Sequence, residues 1–315
     1  MKVAITGATG LIGSALTRSL RAAGHEVVVL SRRPAVVDGL ATVPWNPATS
    51  EVPAIARDGV DALVNLAGAS IASGRWDDSH RGEILDSRLT TTRRLVAAMG
   101  EGGAATLVSG SAVGYYGPGE DPVDETDRPG DDFLAEVCVR WEAEAGKGAG
   151  RGRVVLLRTG VVLSSDGGAL PRLVRVTRLG AGGPLGGGRQ WQSWIHIADE
   201  VGLIEHALAN TSVSGPVDAA APNAVRQLEM AQALGRVLHR PASLPTPAFA
   251  VRLLMGRAAE IALTGQHVVP AVALRSGYVF RFSHVLPALA DLLTPAPVEP
   301  PAEAPDATTP QPRAA

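Results

Sequence analysis

KVAITGATGLIGSALTRSLRAAG, residues 2–24, decides the fold. KVAIT is a short apolar run, the length of a strand rather than of a helix. GATGLIG follows, with Gly7, Gly10 and Gly13 at three-residue intervals. SALTRSLRAAG then reads as a helix stopped by Gly24. A strand, a glycine turn and a helix open a βαβ unit. At such a turn glycines let backbone N–H groups approach a pyrophosphate, and the helix N-terminus favours its charge. Gly7, Thr9, Gly10, Leu11, Ile12 and Gly13 are therefore candidate cofactor-binding residues. An ordinary glycine-rich βα turn is the plainer reading, and the βαβ context weighs against it.

The chain downstream extends the pattern. HEVVVLS is a second strand, and it ends in Ser31, Arg32 and Arg33. A site selective for NAD usually carries Asp or Glu here, to accept from the ribose 2′-OH. A hydroxyl and two guanidiniums suit a 2′-phosphate instead, because arginine pairs with phosphate bidentately. This favours NADP(H) over NAD, with a solvated basic loop as the alternative. Further strands are expected in ALVNLAGA (62–69), ATLVSGS (105–111) and RVVLLRTGVVL (153–163). Helices are expected over 81–99 and 132–145. This alternation predicts an α/β fold, a Rossmann-type doubly wound parallel sheet.

After Leu163 the pattern loosens. Residues 164–194 are glycine-rich, apart from a helix near 170–178. WIHIADEVGLIEHALAN returns to strand and helix, and GPVDAAAP is a late strand. Helices follow over 227–238 and 247–265. The reading is a cofactor domain over 1–163, its sheet completed from 194–220. Segments 164–193 and 221–293 form a smaller C-terminal, substrate-side subdomain. Residues 294–315, rich in Pro and Ala, are expected to be a disordered tail.

Composition narrows the functional classes. A net charge of −2 gives no electrostatic case for nucleic acid or a membrane surface. No apolar run reaches the ~18 residues of a membrane span. One cysteine makes neither an internal disulfide nor a metal site with a second thiolate, so no metal is expected. The N-terminus lacks the features of a secretory signal. These points suggest a cytoplasmic protein, monomeric or homodimeric, with a small-molecule substrate.

TGATGLIG, SRR, VNLAGA, VSGSAVGYYG and SWIHIADEV together resemble the extended short-chain dehydrogenase/reductase superfamily. RGEILDSRLTTT, FLAEVCVRWEAEA, LRTGVVLSSDGGALPRL, GGPLGGGRQWQSWIHI and PAFAVRLLMGRAAEIALTGQHVVP sharpen this. They look like its atypical "epimerase family", related to nucleotide-sugar epimerases and carrying a C-terminal domain of unknown function. The likeness runs from Met1 to about Leu293.

The resemblance implies NADP(H) binding. It puts the pyrophosphate on Gly7 to Gly13, and the adenosine 2′-phosphate on Ser31 and Arg32. Leu66, Ala67 and Gly68 of VNLAG would line the adenosine and ribose. Glu83 and Arg88 of EILDSR, and Ser109 of VSGS, would join the cofactor site. Val161 would lie by the nicotinamide. Read without the resemblance, Glu83 and Arg88 are five apart, and surface charge on a helix is their plain alternative.

Typical members of the superfamily carry Ser or Thr, then Tyr-x-x-x-Lys on the next helix. Tyr transfers the proton; Lys lowers its pKa and holds the ribose. Ser111 falls on the serine. Aligned through Glu142, the Lys position holds Cys138 and the Tyr position Leu134, so the pair is absent. Cys138 is either a reactive thiol beside the cofactor or a small apolar filler on the stripe Leu134, Val137, Cys138 and Trp141. Tyr115 and Tyr116 follow Ser111 directly, as alternative proton donors or as walls of the pocket. His196 suits acid–base work or a structural hydrogen bond near Asp199. In GGPLGGGRQWQSW, Arg189 and Gln190 could hold an anionic or hydroxylated group, and Trp191 could stack a ring or pack the core. Two functions follow as expectations. One is an NADP(H)-dependent oxidoreductase or epimerase-like enzyme acting on a small polar substrate such as a nucleotide sugar. The other is a non-catalytic NADP(H)-binding sensor or scaffold.

Overall fold

The computed structural model describes residues 1–71, 76–100, 102–242 and 244–294. The tail expected from residue 294 lies outside the described residues, apart from that first position. Among the described residues seven strands form one sheet: β1 (Lys2–Thr6), β2 (Glu26–Ser31), β3 (Val43–Pro44), β4 (Ala62–Asn65), β5 (Thr106–Ala112), β6 (Arg153–Thr159) and β7 (Gly215–Ala219). Their order is β7-β6-β5-β4-β1-β2-β3, and every neighbouring pair is parallel. The chain reverses its winding between β1 and β4, and open α/β sheets bind ligands at that crevice.

Both faces of the sheet are covered, which is why β1 and β4 read as continuous apolar runs. Helix α1 (Leu11–Ala22) and helix α5 (Ile197–Ala209) lie on one face. Leu16, Leu20, Val201 and Ile204 pack there with Val3 and Ile5 of β1. Helices α2 (Asp78–Ala97) and α3 (Phe133–Gly146) lie on the other face. Leu95, Val96 and Ala145 pack there with Ala4, Leu63 and Leu107. Asp132 caps α3 by accepting from the Ala135 N–H at 2.8 Å. Edge strand β3 ends in Pro44, a residue that sheets admit at their edges.

Several segments differ from the sequence reading, among them the unexpected strand Val43–Pro44 and helix Val285–Leu293. RVVLLRTGVVL is two strands, because the chain leaves the sheet at Gly160. A Cβ there would meet the Ser193 carbonyl oxygen at 2.5 Å. Val161–Leu163 then pairs with Trp194–His196. The helix expected over 247–265 breaks at Gly256, which has φ +59°. It forms α7 (Ala248–Met255), a 3₁₀ turn and the short α8 (Glu260–Leu263).

The C-terminal third packs on the sheet domain through shared structure. Helices α4 (Leu170–Arg178), α6 (Gln227–Leu238) and α9 (Val285–Leu293) enclose a core around Trp194, Met230 and Leu289. Asp199 of α5 is fully buried and accepts from the backbone N–H groups of Arg281 at 2.7 Å and Phe282 at 3.0 Å.

Candidate functional site

The glycine turn is built for a close approach. Gly7 has φ +74°, and a Cβ on it would sit 2.5 Å from the Leu66 carbonyl. A Cβ on Gly13 would sit 2.5 Å from the Gly7 oxygen. So strand β1, the turn and the end of β4 pack backbone to backbone, and no larger residue fits. The N-terminus of α1 has Gly10 as its cap and no capping side chain. Its first N–H groups are thus open to an anionic ligand.

A cleft of ≈ 930 Å³ opens beside this turn. Gly7, Thr9, Gly10, Ser31, Arg32, Arg33, Leu66, Ala67, Gly68 and Glu83 all line it. Neither Arg32 nor Arg33 has an ion-pair partner among the described residues, although Arg21, Arg57 and Arg94 do. Glu83 stands at the rim, 3.4 Å from the His80 imidazole. The cradle, the uncapped helix and the two unpaired arginines fit a dinucleotide carrying a 2′-phosphate. Trp45, Asn46, Asp86 and Ser87 also line this cleft, and the sequence reading missed them. They come from a loop and a helix face without a motif.

A second cleft, of ≈ 400 Å³, continues past Leu66 and Ile12. Ser111, Leu134, Cys138, Arg88, Val161 and Trp191 share its wall. The i, i+4 spacing on α3 brings Leu134 and Cys138 to one wall of this cleft. Burial, with Glu142 nearby, pushes the Cys138 thiol up to about 11, and the thiol donates to the Ala112 carbonyl at 3.6 Å. Arg88 reaches the cleft from α2. Its Nη1 donates to the carbonyls of Ala69 at 3.1 Å and Ile84 at 2.9 Å. Its guanidinium lies 5.0 Å from the Trp141 ring, and a Cβ on Gly68 would meet it at 2.9 Å. This packing holds one cation beside Cys138. A buried chain fixes its surroundings: Thr6 donates to Asn65, and both Asn65 and Trp141 donate to Thr92.

Ser111 and the two tyrosines meet around Glu142 and Arg158. The Ser111 hydroxyl donates to Glu142 at 2.6 Å. Glu142 in turn makes a bidentate pair with Arg158, 2.8 Å for each contact. Arg158 also donates to the Tyr116 hydroxyl at 2.9 Å, and that hydroxyl donates to Asp218 at 2.7 Å. Tyr116 is buried and lies outside both cleft walls. Burial and the Asp218 carboxyl hold its phenol well above the usual range. Tyr115 lies under the Arg158 guanidinium, 3.5 Å from ring centre, and edge-on to Tyr116. The proton-donor role expected of this pair thus meets a structural network, because the turn after β5 directs both rings into the protein.

The remaining candidate residues have the following surroundings. Ser109 is fully buried within β5, beneath the clefts. Leu11 packs toward Gly168, where a Cβ would touch it at 3.2 Å. Gln190 ties the glycine-rich loop to the carbonyls of Leu185 and Ala262. Arg189 is exposed and outside both walls. Trp191 is on the second wall, where it stacks on His267 at 4.2 Å. His196 caps α5 by accepting from the Ala198 N–H, and its Nε2 faces Asp291 at 3.3 Å. Gln192, Thr264 and Gln266, which the sequence reading did not single out, complete the wall. Among the described residues no group of three His, Cys, Asp or Glu could hold a metal, and no helix is long and apolar enough to cross a membrane.

Comparison with known proteins agrees with this architecture. Residues 3–218 match the model of the NAD dependent epimerase/dehydratase family. Residues 246–292 match a domain of unknown function, DUF1731. The chain is 45% identical over 291 residues to a Mycobacterium tuberculosis epimerase family protein, covering 91% of this chain and 96% of that one. It is 43% identical over 302 residues to an Arabidopsis thaliana relative described as chloroplastic, covering 92% and 86%. The crystal structure of human epimerase family protein SDR39U1 with NADPH superposes with a TM-score of 0.85 at 38% identity, covering 93% of this chain and 99% of that one. MoeE5, in complex with UDP-glucose and NAD, shares the fold with a TM-score of 0.76 at 22% identity. With two-thirds of its length in the cofactor-fold match and the C-terminal domain in its place, the chain belongs to the NAD dependent epimerase/dehydratase family, among its epimerase family proteins.

Proposed function

We propose that the protein is an NADP(H)-dependent oxidoreductase or epimerase-like enzyme whose proton chemistry does not use a Tyr-Lys pair. The observation that carries this reading is the continuity of the two clefts. One holds the glycine cradle and the unpaired Arg32 and Arg33, and the other places Ser111 beyond Leu66. The human structure with NADPH supports the same cofactor here. Gly7, Gly10 and the α1 N-terminus hold the pyrophosphate, and Ser31, Arg32 and Arg33 hold the 2′-phosphate. Val161 lies at the nicotinamide end. Bound there, the cofactor would supply or accept a hydride. Arg88 provides the positive charge that Cys138 lacks.

Ser111 holds the substrate oxygen. With its proton committed to Glu142, its lone pairs accept from a substrate hydroxyl. Turning that proton toward a carbonyl oxygen requires releasing Glu142. Arg158 keeps Glu142 in place for either arrangement. The reducing compartment that suits a lone buried thiol is the cytoplasm or an organelle stroma, as the chloroplastic relative suggests.

The test is a titration of the purified protein with NADPH, followed by turnover with ketones, aldehydes and nucleotide sugars. Turnover that is lost in Ser111→Ala supports the enzyme. Tight NADPH binding with no turnover across the panel supports the second reading, a sensor or scaffold, which Leu134 and Cys138 favour. No rise in Tm with NADPH contradicts both.

A further inference from the structure

We propose that the second cleft takes a small, uncharged, hydrogen-bonding substrate and excludes a nucleoside diphosphate. This rests on the reading that the first cleft and the glycine turn hold the cofactor.

Charge is the first observation. Among the described residues lining the cleft, Arg88 and Asp132 carry the formal charges, and these cancel. Arg88 is committed to two backbone carbonyls and the Trp141 face. It cannot also wrap a diphosphate. Asp132 is the N-cap of α3 and adds a carboxylate to the same wall. A multiply charged diphosphate would lose its water there without gaining a free cation. Other described arginines around this wall are engaged elsewhere: Arg158 is held bidentately by Glu142. Arg226 pairs with Glu120 at 2.8 Å and packs on Trp191 from 3.8 Å, and Arg189 is exposed and off the wall.

Size is the second. A cleft of ≈ 400 Å³ is at the small end of the about 300–1,000 Å³ usual for ligand sites. It must also admit the nicotinamide end of the cofactor. The remaining space suits a few-carbon or single-ring molecule, not a nucleotide with a sugar.

The third observation is what the wall offers instead. Gln192 and Gln266 are half-buried residues of this wall, and neither side-chain amide has a hydrogen-bond partner among the described residues. Each presents a neutral donor and a neutral acceptor. With Ser111, Thr159, Ser193 and Thr264 they line a space that Leu134, Ile261 and Trp191 also wall. Neutral amides facing apolar side chains match carbonyl and hydroxyl oxygens on a compact carbon skeleton. A site built to hydrogen-bond such oxygens also discriminates strongly against ligands that leave its groups unpaired.

The experiment uses the full chain saturated with NADPH. Calorimetry and thermal shift are run with two probe sets. One contains neutral aldehydes, ketones and hydroxyketones of one ring or fewer than about eight carbons, and the other contains UDP and UDP-glucose. Binding by a neutral probe is expected, with no shift from UDP or UDP-glucose at the same concentration. Gln192→Ala and Gln266→Ala should each weaken the probe about tenfold, or about 1.4 kcal/mol, with the NADPH Kd unchanged. Binding of UDP or UDP-glucose as tight as that of the best neutral probe overturns the proposal. So does the absence of any shift with every neutral probe while NADPH binds, or wild-type probe affinity in both variants. Failure of NADPH itself to bind the wild type identifies the cofactor reading, rather than this one, as the fault.

Discussion

Cys138 shows how one side chain can take its meaning from its neighbours. It lines the second cleft, where burial and Glu142 favour its neutral thiol. Thiolate chemistry is therefore suppressed at neutral pH. Alkylation by iodoacetamide should be slow at pH 8 and should climb through pH 10 toward the thiol's value of about 11. A rate that levels off below pH 9 would show an activated thiol instead. Sequence alone left this residue as either reactive group or filler, because only the fold shows what surrounds it. Gly7 and Gly13 were legible directly, since their spacing sits between a strand and a helix. Tyr116 was not. Adjacency to Ser111 in sequence says nothing of which way a turn points its rings, and the polar partners that claim Tyr116 come from β6 and β7, 42 and 102 residues away.

At the scale of elements, α3 and β6 meet through Glu142 and Arg158 beneath the clefts. Both are buried, and each satisfies the other bidentately. Glu142→Ala leaves the Arg158 charge without its carboxylate, a change that costs about 3–5 kcal/mol in comparable buried pairs. Urea denaturation should show a loss of that size. A loss below about 1 kcal/mol, the range of exposed pairs, would mean that the pair does not hold α3 on the sheet. Strands β1, β2, β4 and β5 and helices α1, α2 and α3 were legible because period and glycine punctuation agree there, whereas the two-residue edge strand β3 is too short to show a period. The break at Gly160 was not. RVVLLRTGVVL is apolar throughout, and only the Ser193 backbone, brought in from a distant loop, requires the glycine and the turn. Gln192 and Gln266 escaped for the same reason: two short strands and the α8 connection converge on one wall without sharing any local pattern.

The molecule as a whole carries a buried acid that couples its stability to pH. Glu200, fully buried on α5, accepts from Thr159 at 2.8 Å, and burial pushes its carboxyl up to about 8. The folded state thus binds a proton that the unfolded chain releases near pH 4.5. Its contribution is complete below that pH and is lost as pH rises to about 8. Glu200→Gln keeps the neutral shape and removes the titration. Wild-type stability relative to this variant should fall between pH 5 and pH 8 in chemical denaturation, and a constant difference would contradict the assignment. The C-terminal segment is part of the same cooperative structure, because Asp199 and the core around Trp194 bind it to the sheet.

The central claim is that the glycine turn and the end of β2 form a site for NADP(H). Fluorescence titration of the wild type and Arg32→Ala with NADPH and NADH tests it most directly. The wild type is expected to bind NADPH at least about tenfold more tightly than NADH, as loss of a charged hydrogen bond implies. Arg32→Ala is expected to remove most of this difference while leaving NADH affinity nearly unchanged. Equal affinities in the wild type, or an undiminished NADPH preference in Arg32→Ala, would contradict the claim.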